Sequence, residues 1–360
     1  MKKMTSKQRL LNSLKGIETD YLAWSPFLAY FWDFQPEKIR QRGLLEFYKE
    51  IDADALFRGY CTLIKKEYKD TNIKENIIGN EKKIIYETKF GNLEFLYVYA
   101  KKSRTWFLKE HPVKDEEGFK RLINLYENLK ITKHFTKYEE GLKLVGDDGL
   151  LIPIIGSEMK TSFQALLESW VGTVNLTYAT YDFPELVEET LSVMRKKSLE
   201  AVNIASESGA ESFIFWEDSS TTNISPNQFT KYIAPEINDW GNILHSNNQM
   251  LVHHACGLIK DLIPLMAKTN IDIIESISPP PTGNIYTYEA QKMLPDNIGL
   301  VGGIDAVMLE KSSLDELYKY TKDIITKTNT KRFILGNSDS CPPDVEIEKF
   351  KMISKLVKEF

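Results

Sequence analysis

Cysteine is scarce in this chain: Cys61, Cys256 and Cys341 are the only three in 360 residues, and the opening residues do not read as a secretion signal. A disulfide framework is therefore not expected, and thiols in metal-binding or reactive roles come forward. Long apolar runs are missing as well. No stretch approaches the roughly 20 residues needed to cross a bilayer. The opening MKKMTSKQRLLNSLKG continues as an amphipathic pattern, with Leu10, Leu11 and Leu14 on one face, and not as the apolar core of a signal peptide. The expected location is the cytoplasm, away from membranes. Basic tracts are absent too: the formal charge of -5 comes from Lys and Glu spread along the chain, so nucleic acid is not an expected partner. No G-x-G-x-x-G occurs, which removes the usual phosphate loop of an open, doubly wound sheet.

What the chain does contain is a series of eight short apolar runs, most ending in small or polar residues and followed by helical periodicity. They are Tyr21 to Pro26, Asp54 to Arg58, Leu150 to Gly156, Ser212 to Glu217, Met250 to His254, Ile271 to Glu275, Ile298 to Gly303 and Arg332 to Gly336. From the third run onward convincing helices follow, such as Pro184 to Ser208, Pro226 to Ser246 and Ser312 to Thr328. Alternation of this kind argues a parallel sheet, and eight units argue a closed (β/α)8 TIM barrel spanning residues 1–360 as one domain. The interval 61–148 does not fit one βα unit. It holds the alternating runs Lys83 to Phe90 and Leu93 to Tyr99, joined by Gly91-Asn92, and then a helix from Glu116 to Leu129. The expectation is a β-hairpin insertion after the second strand, acting as a lid or partner surface.

At the end of the fifth run stands His254-Ala255-Cys256, and a period of two sends His254 and Cys256 the same way, into the mouth of a barrel. Cys341 follows the eighth run in NSDSCPP, and closing strands return to the same opening. One imidazole and two thiolates form a zinc-type donor set. Glu275, ending the sixth run, is the best candidate for a fourth ligand that yields to an incoming substrate, which would make the site catalytic.

HAC at 254–256, IIES ending the strand at Glu275, GLVGGID at 299–305 and LGNSDSCPP at 335–343 resemble the uroporphyrinogen decarboxylase superfamily. More narrowly, the chain is similar to its zinc-dependent corrinoid methyltransferase branch, which includes the methylcobamide:coenzyme M methyltransferases. The resemblance runs from TSKQRLLNSLKG to the C-terminus and is weakest between about residues 60 and 145. It implies a barrel, one zinc per chain held by His254, Cys256 and Cys341 with Glu275 as a possible fourth ligand, and methyl transfer between a small thiol or methyl ether and cobalt. The family's D-x-H-x-x-G cobalamin motif does not occur, so the cobalamin is expected on a separate corrinoid protein. The decarboxylases' R-Q-A-G-R-type motif is also missing; the corresponding stretch reads SPFLAYFWDFQPEKIR.

Other residues carry two readings each. Glu217 either positions a ligating histidine or donates a proton, against a plain ion pair at a strand end. Asp305, after Gly302-Gly303, either approaches the substrate or simply follows glycines that relieve packing. Trp24, Phe27 and Trp216 line a pocket or belong to ordinary core, and Arg58 binds an acidic group or forms a wall salt bridge. Asn337 and Asp339 read as hydrogen-bond partners near Cys341, with Asn337 also a candidate substrate contact. His253 should point opposite to His254 into the core, Cys61 should be buried, and His111, His134 and His245 should lie at the surface. Two rival functions remain: a cofactor-free decarboxylase-type lyase acting on a tetrapyrrole, which needs clustered arginines, and a barrel that zinc merely braces.

Overall fold

The protein is described by a computed structural model covering residues 3–360. The chain divides into two compact units, one comprising residues up to Leu63 with Phe135–Ile155 and Ser206–Phe360, the other Ile64–His134 and Gly156–Ala205. The division differs from a single insertion at 61–148: residues 156–205 group with the inserted segment, and the helix Thr136–Val145 returns to the first unit.

The first unit is an α/β fold on a curled, barrel-like parallel sheet of seven strands. These are β1 (Ala55–Thr62), β2 (Gly149–Ile154), β3 (Ser212–Glu217), β4 (Met250–Ala255), β5 (Ile273–Ile277), β6 (Gly299–Ile304) and β7 (Phe333–Asn337), hydrogen bonded in chain order. All seven start within about two residues of the expected runs, because each is a buried apolar segment bounded by polar or turn residues. The eighth expected strand, Tyr21 to Pro26, is the exception. It shrinks to a single parallel bridge between Trp24 and Leu335. Ser25 N–H donates to Leu335 O (2.9 Å), Leu335 N–H to Ala23 O (2.9 Å), and on the other side Asp54 N–H to Trp24 O (2.8 Å). Pro26 has no N–H for a ladder, and the Trp24 N–H goes to the Asp54 carboxylate at 3.4 Å, so the segment cannot extend.

Side chains alternate across each strand, and one inward layer is apolar throughout: Ala23, Leu56, Leu150, Ile152, Ile214, Val252, Ile273, Val301 and Ile334. Leu10 and Leu14 of the helix Ser6–Lys15 pack on this layer. That helix is fixed by a capping box, with Thr5 and Gln8 exchanging side-chain and backbone hydrogen bonds, and by Gly16 in the left-handed region at its end.

In the second unit, the residues expected as one hairpin belong to a four-stranded antiparallel sheet, Asn72–Ile78, Glu81–Thr88, Gly91–Ala100 and Thr105–Glu110 in sequential order. The turn is not Gly91-Asn92 but Lys89-Phe90, since Thr88 pairs with Gly91. The Thr88 hydroxyl donates to Gly91 O (2.7 Å) and accepts from Phe90 N–H (3.2 Å), which closes the turn two residues early. The following helix, Glu116–Glu127, is capped by Asp115, and Leu129 already begins a strand, Leu129–Lys133, antiparallel to Ile64–Tyr68.

Candidate functional site

Two residues beyond the apolar layer, the same inward direction is occupied by chemistry. Leu56 is followed by Arg58, Ile214 by Trp216, Val252 by His254, and Ile273 by Glu275. Strand register sets His254 opposite both Trp216 and Glu275, so these side chains converge without any long-range adjustment.

Glu275, nearly without exposure, lies between two partners. Its Oε2 accepts a hydrogen bond from His254 Nδ1, and its Oε1 stands 3.3 Å from Arg58 Nε. Arg58 Nη2 donates to Ser25 O at 2.9 Å. Burial alone would lower the His254 pKa, but the Glu275 charge and hydrogen bonds with Cys256 and Glu275 outweigh it, and the imidazole is pushed up to about 10. Holding Nδ1 on a carboxylate fixes the orientation of the ring.

Aromatic rings pack around this group. Trp216 meets the His254 ring edge-on at 4.8 Å and stacks on Phe27 at 5.8 Å, while the Arg58 guanidinium lies 5.3 Å above the Phe27 ring. Gly59 makes room for it: a Cβ there would fall 2.3 Å from the indole, and φ is +66°. The pairing of β1 with β2 shifts register just after Arg58.

Cys256, half-buried beyond the end of β4, hydrogen bonds with His254, and its Sγ is 3.9 Å from Asp218 Oδ1. Burial raises its thiol pKa, and His254 opposes that rise. Cys341 follows the end of β7. Its backbone N–H donates to Phe27 O (2.7 Å), its fully buried Sγ points to Pro342 O at 3.6 Å, and burial pushes its thiol well above the ordinary value. Among the described residues, no three His, Cys, Asp or Glu side chains form a metal-holding group. An imidazole nitrogen beside a thiol suits zinc in donor type, so His254 and Cys256 fit such an ion; Cys341 would have to turn toward them to complete the set.

The remaining expected residues fall in distinct places. Glu217 is buried at the end of β3, one residue from Trp216 and hence on the opposite face from His254. Asp305 caps the helix Ala306–Lys311: Oδ1 accepts from Val307 and Met308 N–H (2.8 and 3.0 Å), and Oδ2 from Thr282 N–H and hydroxyl. Trp24 is buried at the bridge to β7. Asn337 ties two segments together, accepting from Phe27 N–H (2.7 Å) and donating to Phe27 O (3.2 Å) and to Asp339 O. His253 is buried against Phe215, bonds Ser219 Oγ at 2.9 Å, and is pushed down to about 3 by burial and by His254. Cys61 is buried, His134 and His245 are exposed, and His111 is half-buried with Nδ1 on Ser169 O at 3.0 Å. Sequence reasoning missed the Arg58–Glu275–His254 chain. The signal was present as a charged residue two positions past an apolar one in three strands.

The uroporphyrinogen decarboxylase (URO-D) family model matches residues 111–360, more than half of the chain. The protein belongs to the URO-D family. Within this URO-D chain the match takes in strands β2 to β7, with His254, Cys256, Glu275 and Cys341, whereas Phe27 and Arg58 lie before it. Among solved structures, a methyltransferase from Methanosarcina mazei is 16% identical over 99% of both chains with a TM-score of 0.66, so the fold is shared. A B12-independent methionine synthase from Shewanella sp. W3-18-1 is 10% identical over 95% of both chains with a TM-score of 0.47. No curated protein sequence matches this member of the URO-D family. Among the described residues, no helix is long and apolar enough to cross a membrane.

Proposed function

We propose that this chain is a zinc-dependent methyltransferase that moves a methyl group between a small thiol or methyl ether and the cobalt of a separate corrinoid protein, on a (β/α)8 barrel whose first strand is the short bridge at Trp24. The observation that carries the reading is the pairing of His254 with Cys256 at the end of β4, with His254 Nδ1 engaged by Glu275. The H-x-C motif, the distant cysteine in NSDSCPP and the fold shared with the Methanosarcina mazei methyltransferase support it.

In this reading His254 and Cys256 hold zinc and Cys341 joins them. Bound zinc supplies Lewis acidity, keeping a substrate sulfur deprotonated near neutral pH or making a methyl-bearing oxygen or sulfur a better leaving group. The chain's own residues orient and shield. Glu275 fixes the ring of His254, Arg58 anchors Glu275 from its other oxygen, and Phe27 with Trp216 forms an aromatic wall that excludes water. A tetrapyrrole decarboxylase would need several cations for its substrate's carboxylates. Among the described residues, the inward strand-end positions hold one arginine, Arg58.

Elemental analysis of the reduced, folded protein tests the metal. About one zinc per chain in the parent and a steep fall in His254→Ala and Cys341→Ser is the expected result, to be followed by methyl-transfer assays with methylcobalamin. A folded parent that neither contains nor takes up zinc would overturn the reading.

A further inference from the structure

Directly after Glu275, β5 is irregular. Its pairing with β6 advances from Glu275–Val301 to Ile277–Gly302, so Ser276 is an extra residue and forms a bulge. Ser276 adopts φ +79°, the left-handed region that a residue with a Cβ rarely enters. Gly302, paired with Ile277 on β6, leaves room for the bulge, since a Cβ there would fall 2.9 Å from Ile277 N. A position that only had to make this turn would suit glycine, which adopts that φ freely. Serine adds one group. Its fully buried hydroxyl donates to the backbone oxygen of Ser338, the residue that follows β7 and stands three before Cys341. Ser278 Oγ also lies 3.4 Å from that oxygen, but its closer acceptor is Ser276 O at 3.0 Å. The loop's other ties run from Ser338 N–H to Ile304 O (2.8 Å), and from Asn337 and the Cys341 N–H to Phe27. Strained backbone that supports a specific contact next to a candidate site is a pointer to function.

We propose that Ser276 is a positioning residue: its hydroxyl joins the strand that presents Glu275 to the loop that carries Cys341, and so keeps the Cys341 thiol buried and in a fixed place relative to the His254–Glu275 pair. Holding the loop requires no metal. The consequence for zinc affinity rests on the methyltransferase reading.

Ser276→Gly tests it, because glycine accepts the left-handed backbone and removes the hydroxyl. Alkylation of the metal-free full chain by iodoacetamide, mapped by peptide mass spectrometry, reads Cys341 and the buried Cys61 of β1 in the same sample. In the parent, Cys341 should label no faster than Cys61. Ser276→Gly should speed labelling of Cys341 about tenfold, the factor expected from one lost hydrogen bond to a buried acceptor, and leave Cys61 at the parent's rate. Unchanged labelling of Cys341 in the variant, or equal acceleration of both cysteines, which marks a general loosening of the fold, would overturn the proposal. So would a parent in which Cys341 labels faster than Cys61, a result that needs no variant to fold. Chelator competition should then give Ser276→Gly a zinc Kd about tenfold above the parent's, and an equal Kd would remove the positioning role. A parent that takes up no zinc would sink the methyltransferase reading alone, while the cysteine rates would still decide whether Ser276 holds the loop.

Discussion

Replacing Glu275 by glutamine keeps the shape of the side chain and removes its charge, leaving Arg58 buried without a counter-ion. The two side chains are 1% and 0% exposed and stand 3.3 Å apart. At that distance an effective dielectric of about 20 gives a gross attraction of about 5 kcal/mol. Desolvation offsets much of this in the intact pair, but not in the variant, where one charge stays buried alone. Glu275→Gln should therefore lose about 3–5 kcal/mol, and Arg58→Met less, because Glu275 keeps His254 as its partner. The double variant also removes the Arg58 charge and should recover part of the Glu275→Gln loss, so the coupling in a double-mutant cycle should be favourable, while the lost His254 contact remains uncompensated. Urea unfolding followed by circular dichroism, with the transition of the barrel-like unit analysed by itself, measures all four corners. If each single variant lost less than about 1 kcal/mol, or if the double variant lost the sum of the two, the pair would not be the buried, mutually dependent unit inferred from the geometry.

Three further outcomes follow from the same physics. Asp20, bonded to Arg9 at 2.7 Å, is pulled up by burial, but the Arg9 hydrogen bond and other contacts hold its pKa below 3.8. Its contribution is therefore complete above the unfolded value and lost as pH falls through the lower folded one; acid titration of stability should show this loss in the parent and not in Asp20→Asn. Asp305→Ala should lower stability by about 1–2 kcal/mol, because a helix cap and the bonds from Thr282 disappear, and any activity should fall only in step with folding. A stable Asp305→Ala protein without turnover would instead assign the carboxylate to the reaction. Gly59→Ala should displace the Trp216 ring, since its new Cβ would meet the indole at 2.3 Å, and should both lower the melting temperature and shift tryptophan emission. Unchanged emission and melting would show that the ring yields at no cost.

Much of this architecture was legible in the residues alone. Seven buried strands declared themselves by short apolar runs, and parity in β4 correctly set His253 into the core and His254 on the other face. Local pattern was less informative where the partner lay far away. Tyr21 to Pro26 reads as a strand, but the carboxylate of Asp54 and the missing N–H of Pro26 reduce it to one bridge. Gly91-Asn92 reads as a turn, but the Thr88 hydroxyl places the turn at Lys89-Phe90.

Period-two alternation, helix caps and the H-x-C spacing are local properties, so the sequence by itself determined the parallel α/β core, the facing of each strand and the neighbourhood of His254 and Cys256. Which residues meet across strands depends on register and on side-chain direction at chain-distant points, and these only the tertiary structure decided. It made Glu275 the partner of His254 and Arg58, gave Asp305 to a helix cap, and set Cys341 against Phe27 and Pro342. The physical reason is that a carboxylate's role is fixed by the donors that reach it first, and those donors lie on other strands.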